Sequence, residues 1–160
     1  MRIKILGLGL MCLMIYGCAT APAPRQIIKA FPIEASFDDA WQAVIESFAE
    51  MNLPIANMEK DSGLITTDWE IYPRGKAGNV YCDCGGLGLN MEIERRGRFN
   101  VFVRRLTEYS CELKVNCIYN QRIQPAMAEG STGLTSRNCV STGKLKAVMF
   151  EIVESKLKIE

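Results

Sequence analysis

Between positions 111 and 120 the chain reads CELKVNCIYN. Laid out as a strand, Cys111, Leu113, Val115, Cys117 and Tyr119 share one side, while Glu112, Lys114, Asn116 and Asn120 share the other. Successive side chains of a strand point to opposite faces, so clean alternation marks an antiparallel sheet with one wet face. The dry face needs a cover. Two segments carry apolar stripes at helical spacing and can supply it.

The first is SFDDAWQAVIESFAEMN, from Ser36 to Asn52, where Phe37, Trp41, Val44, Ile45 and Phe48 fall on one stripe. Ser36 is placed to cap this helix, and Asp39 three residues on completes a capping-box-like pair. Asn52 tolerates the left-handed stop conformation, and Pro54 prevents continuation. The second is the C-terminal run with Leu145, Val148, Met149, Ile152, Val153 and Leu157. Between the two lie PIANMEKDSGLITTDWEIY, read as two strands around a turn at Gly63, and RRGRFNVFVRRL, another strand. Residues 26–35 form an opening strand in which Pro32, lacking a donor, argues for an edge. Residues 73–90 are a glycine-dense insert, and residues 124–138 read as a loop. The order β-α-β-β-insert-β-β-α predicts an α+β fold, an antiparallel sheet with two helices packed on one face.

The N-terminus addresses the chain. Arg2 and Lys4 precede an uncharged, mostly apolar run from Ile5 to Ile15, about half the ~20 residues a spanning helix needs. Ile15-Tyr16-Gly17-Cys18 then resembles a bacterial lipobox. The resemblance implies cleavage after Gly17 and acylation of the Cys18 thiol. Ala19 next to it implies sorting to the outer membrane, facing the periplasm. The expected organisation is a signal peptide over 1–17, the lipidated Cys18 with a short tether over 18–25, and one domain over 26–160. A proline-punctuated tether of this length reaches only about 20 Å, which keeps the domain close to the membrane.

Composition removes several function classes. Without residues 1–17 the chain carries 17 basic and 18 acidic side chains, so no electrostatic footprint for nucleic acid exists. The sequence contains no histidine, which excludes Ser-His-Asp and Cys-His catalysis and His-ligated zinc. Ser141 to Lys144 spells STGK, but the upstream phosphate-loop glycine is missing; Ser141 or Thr142 reads better as a helix cap. Asp38, Asp39, Asp61, Asp68 and Glu70 read as solvated caps and turns. Arg95, Arg96, Arg98, Arg104 and Arg105 form a local excess, a solvated sheet face or a contact for lipid head groups or an acidic partner.

SFDDAWQAVIESFAEMNLPIANMEKDSGLITTDW resembles the lipoprotein domain of the BamC family, from the outer-membrane barrel-assembly machinery. Related small lipoproteins carry a CG segment and a late C-x-STG, here Cys84-Gly85 and Cys139 to Gly143. The likeness implies a helix-grip fold and a binding or scaffolding role without catalysis; separately, the cysteine spacing lacks paired Cys-x2-Cys knuckles, so no metal or cofactor is expected. This chain departs from it in having one such domain and a tether of seven residues.

Five cysteines follow Cys18: Cys82, Cys84, Cys111, Cys117 and Cys139. In an oxidising compartment they are expected to form disulfides, and an odd number leaves at least one thiol over. Cys111 and Cys117 lie ~20 Å apart on one strand and cannot pair there. The placement of CG and C-x-STG, with the glycine-rich insert, points to Cys84 with Cys139, and Cys82 is the runner-up partner. The expected function is a membrane-anchored, non-enzymatic envelope protein that binds another protein. A thiol-redox protein using Cys82 and Cys84 and a ligand-binding helix-grip module are the alternatives.

Overall fold

The structure is a computed structural model and describes residues 30–126 and 133–158. The signal segment, Cys18, the tether and the first residues of the opening strand lie outside the described residues. Eight strands and two long helices follow one another: β1 (Phe31–Ile33), α1 (Phe37–Glu50), β2 (Ile55–Glu59), β3 (Leu64–Thr67), β4 (Glu70–Tyr72), β5 (Cys82–Asp83), β6 (Asn90–Arg105), β7 (Cys111–Pro125), β8 (Thr135–Ser141) and α2 (Lys144–Leu157). A short 3-10 turn, Gly75–Val80, precedes β5.

The strands form one antiparallel sheet in the order β2-β3-β6-β7-β8-β5, with β1 paired to one end of β7 and β4 to one end of β6. Long β6 and β7 pair from Asn90↔Pro125 to Arg105↔Cys111 and make the spine. Their alternation works as the sequence requires: Phe99, Val101 and Val103 on β6 and Cys111, Leu113, Val115 and Tyr119 on β7 are buried. Both helices cover that same face. Trp41, Val44 and Phe48 of α1 meet Met149, Phe150 and Val153 of α2 over the sheet in one apolar core. This is the α+β arrangement with both helices on one side.

Local chemistry fixes the ends. Ser36 Oγ accepts the Asp39 N–H at 3.3 Å, and α1 closes with Asn52 at φ 54° and the Leu53 N–H on the Phe48 carbonyl at 2.9 Å. Gly63, at φ +70°, turns β2 into β3. A Cβ there would sit 2.0 Å from the Val103 carbonyl oxygen, so only glycine fits.

Several features differ from the sequence expectation. Residues 135–138, read as the end of a loop, open β8 (Thr135–Ser141), a strand of mostly polar residues joined to β7 from Tyr119↔Cys139 to Ile123↔Thr135. Asp83 pairs with Val140, so the insert contributes a strand of its own. The start of α2 is also different. Gly143 is the N-cap at φ 82°, while Ser141 ends β8 and Thr142 Oγ1 accepts the Lys144 N–H at 3.3 Å. Thr142 Oγ1 also donates to the Val80 carbonyl at 2.6 Å. Its hydroxyl therefore serves the insert and the helix start together.

Candidate functional site

Cys84 and Cys139 are bonded to each other. The pairing of Cys82 with Ser141 and Asp83 with Val140 makes Cys84 and Cys139 direct cross-strand neighbours, with Cα atoms 4.2 Å apart. Period-2 alternation puts Cys82 on the same side of β5 as Cys84. Its sulfur lies 3.9 Å from the Cys84 sulfur, and all three sulfurs lie within 4.8 Å of one another. Cys82 and Cys84 are buried, at 0% and 3% exposure.

The cluster sits in a second core of its own, beside the helix-covered one. Tyr72, Phe99 and Tyr119 pack edge to face with ring centroids 5.8–6.1 Å apart, and Leu145 and Tyr81 close the chamber. Gly97 permits this. A Cβ there would be 2.8 Å from a Tyr119 ring carbon. Burial pushes both the Tyr72 and Tyr119 hydroxyls well above their ordinary value.

Cys82, Cys111 and Cys117 are free thiols. Burial pushes Cys82 up, and the Arg95 charge pulls it partly back. Burial pushes Cys117 up to about 11 from an ordinary 9.0, so the fold favours its neutral form. The sign follows directly. A raised thiol value contributes stability that is complete below pH 9.0 and lost as the pH climbs through about 11. Melting temperatures recorded across that window should fall less steeply for Cys117→Ala than for the wild type; parallel slopes would reject the assignment.

Several hydrogen bonds hold the insert against the sheet besides the disulfide. Arg137 donates to the carbonyls of Gly86 at 3.0 Å and Gly85 at 3.4 Å, and to Gln121 Oε1 at 2.7 Å. Asp83 Oδ1 accepts the Gly85 N–H at 2.9 Å and turns the chain away after β5. Cys139→Ser therefore leaves the insert docked while removing a crosslink between residues 55 positions apart. The expected cost is about 2–4 kcal/mol, read as a lower denaturation midpoint under non-reducing conditions. An unchanged midpoint would show that the crosslink contributes nothing.

The arginine excess divides in two. Arg95 is not on the wet face: its side chain is 3% exposed and pairs with buried Glu92 at 2.7 Å, and its Nη1 donates to Asn79 Oδ1 at 2.8 Å. Arg95 has the parity of buried Phe99, Val101 and Val103 and so faces inward by simple alternation. Its partner is brought to the same side by a bulge: Glu92 opposes Ile123 and Glu94 opposes Arg122, so Ile93 is the extra residue and even-numbered Glu92 also faces inward. Arg105 lies over the Phe37 ring at 5.0 Å. Arg96, Arg98 and Arg104 do face away from the helices.

On that uncovered face the guanidinium groups of Arg96 and Arg98 lie over the Trp69 ring, at 4.7 Å and 5.4 Å from its centroid. Ile71, 76% exposed, sits opposite Arg96, and Ile118, 43% exposed, opposite Arg98. The outward positions of β6 and β7 hold the cations Arg96, Arg98, Arg104, Lys114 and Arg122 against the carboxylates Glu94 and Glu112. Glu112 pairs with Arg104 at 2.7 Å, and Glu94 is shared between Arg122 at 3.4 Å and Arg96 at 3.8 Å, so five cations face two carboxylates on these two strands. Sequence reasoning missed Trp69 because it lies between β3 and β4, where no periodicity reports its direction. Cys18, the expected lipidation site, lies outside the described residues.

The chain matches no protein-family model and no curated protein.

Proposed function

We propose that this chain is a non-catalytic binding protein of the cell envelope, held at the outer membrane through Cys18, whose uncovered sheet face docks an acidic protein partner. The observation that carries the reading is the Trp69 ring with two guanidinium groups over it, at 4.7 Å and 5.4 Å, and exposed Ile71 and Ile118 directly cross-strand from those arginines. Tryptophan and arginine dominate the energetics of protein interfaces, and a stacked guanidinium keeps N–H edges free for a carboxylate. The helices and the insert between them occupy the other face, so the uncovered side is the one the sheet has to offer.

The space between helices and sheet gives little support to a ligand-binding module, because Trp41, Phe48, Leu113 and Met149 fill it. A redox pair of Cys82 with Cys84 also fits poorly, since Cys84 is bonded across the sheet to Cys139.

The test is photocrosslinking in intact cells from four positions of the full chain. Residues 71 and 98 lie on the uncovered face; exposed Gln42 and Glu151 lie on the outer sides of the helices. Adducts with one envelope protein from 71 and 98 alone are expected, and Cys18→Ala should lose both acyl label and membrane fractionation. Adducts confined to 42 and 151, or none from any position, would overturn the docking face. Retained acyl label in Cys18→Ala would overturn the anchor.

A further inference from the structure

We propose that Cys82, Cys84 and Cys139, once the Cys84–Cys139 bond is reduced, form a three-thiolate site for one soft d10 metal ion. The disulfide needs only two cysteines. The third, Cys82, is fully buried with its sulfur 3.9 Å from the Cys84 sulfur and 4.0 Å from the Gly78 carbonyl oxygen. A buried free cysteine is often just a small hydrophobe, so the spacing has to decide.

Sulfurs bound tetrahedrally to one zinc ion at ~2.3 Å stand about 3.8 Å from each other. The Cys82–Cys84 separation is already at that value. A thiol poised to attack a disulfide would instead lie in line with the bond, about 6 Å from the far sulfur. Here all three sulfurs fall within 4.8 Å of one another, a triangle and not a line. The triangle is the shape that converges on an ion.

Backbone pairing positions the sulfurs. Cys82 opens β5, Cys84 follows its last residue, and Cys139 is held on β8 by its pairing with Tyr119. An all-sulfur donor set selects soft ions such as Cu(I), Zn(II) or Cd(II) over calcium or magnesium. Three thiolates around a divalent ion carry a net negative charge, and the Arg95 guanidinium stands beside the Cys82 sulfur to offset it. The chemistry balances with an external reductant. A phosphine or dithiol takes the disulfide to two thiols and is itself oxidised; the ion then displaces three protons as three metal–sulfur bonds form. Disulfide and metal site are thus alternative states of one cluster, chosen by redox conditions.

The probe is Cd(II) added anaerobically to the full chain reduced with a phosphine, read by thiolate-to-metal charge-transfer absorption. One equivalent should saturate the reduced chain, and the oxidised chain should give no signal. Cys82→Ser should weaken binding by more than the roughly 10–100-fold that loss of a supporting residue costs, whereas Cys111→Ser should change nothing. Should Cys82→Ser fail to fold, alkylation of the reduced wild type decides: Cd(II) is expected to protect Cys82, Cys84 and Cys139 and leave the labelling of Cys111 and Cys117 unchanged. Absence of a saturable signal in the reduced chain, equal affinity in Cys82→Ser, or protection that omits Cys82 would each overturn the site.

Discussion

Trp41→Ala should lower the stability of the domain by about 3–5 kcal/mol, the range for large-to-small aromatic changes in a packed interior. Trp41 is 4% exposed, stacks on Phe37 at a centroid distance of 5.9 Å, and belongs to the core that α1 and α2 share over the sheet. Neighbours from two helices and the sheet are held by their own backbone hydrogen bonds, so the cavity cannot collapse freely. The comparison is Phe37→Ala, which removes a ring only partly buried at the same helix's start and should cost less. Chemical denaturation checks both. A midpoint for Trp41→Ala equal to wild type, with an unchanged slope, would mean that the helix does not pack through this residue.

The packing of Trp41 was legible in the sequence because two periodicities are simple. Alternation in β7 and the stripe in α1 each follow from one repeating geometry, and the sheet with two covering helices follows from both. β8 was hidden for a physical reason. TSRNCVS has few apolar residues, because the strand's place between β7 and β5 is secured by backbone pairing and by Arg137 more than by buried side chains. The bulge at Ile93 was hidden too, since one inserted residue reverses which parity faces inward and turns Glu92 to the core side. Arg95 has the parity of Phe99, Val101 and Val103, but with its buried partner hidden it read as one of a row of surface arginines. At the sulfur cluster, the Cys-x-Cys alternation placed Cys82 and Cys84 on one side, but the distance to Cys139 depended on a pairing between β5 and β8 that no local pattern announces.

The bulge leads to the other large expected effect. Glu92→Ala should destabilise the domain by about 3–5 kcal/mol, because it leaves the Arg95 guanidinium charged and out of water. The two side chains are 5% and 3% exposed, and the contact is a fork: Arg95 Nε donates to one Glu92 oxygen at 2.7 Å and Nη2 to the other at 3.2 Å. Relaxation toward solvent is blocked on one side by the insert. Gly78 lies so close that a Cβ there would be 2.5 Å from Arg95 Nη1, and Asn79 accepts that same nitrogen's hydrogen. The penalty belongs to the orphaned charge and not to the pair, since replacing a buried pair with apolar groups of similar volume is often neutral. Glu92→Leu combined with Arg95→Met should therefore lose clearly less than Glu92→Ala alone. A denaturation series on the three proteins measures it. If the double variant is as unstable as Glu92→Ala, the penalty does not come from an orphaned Arg95 charge.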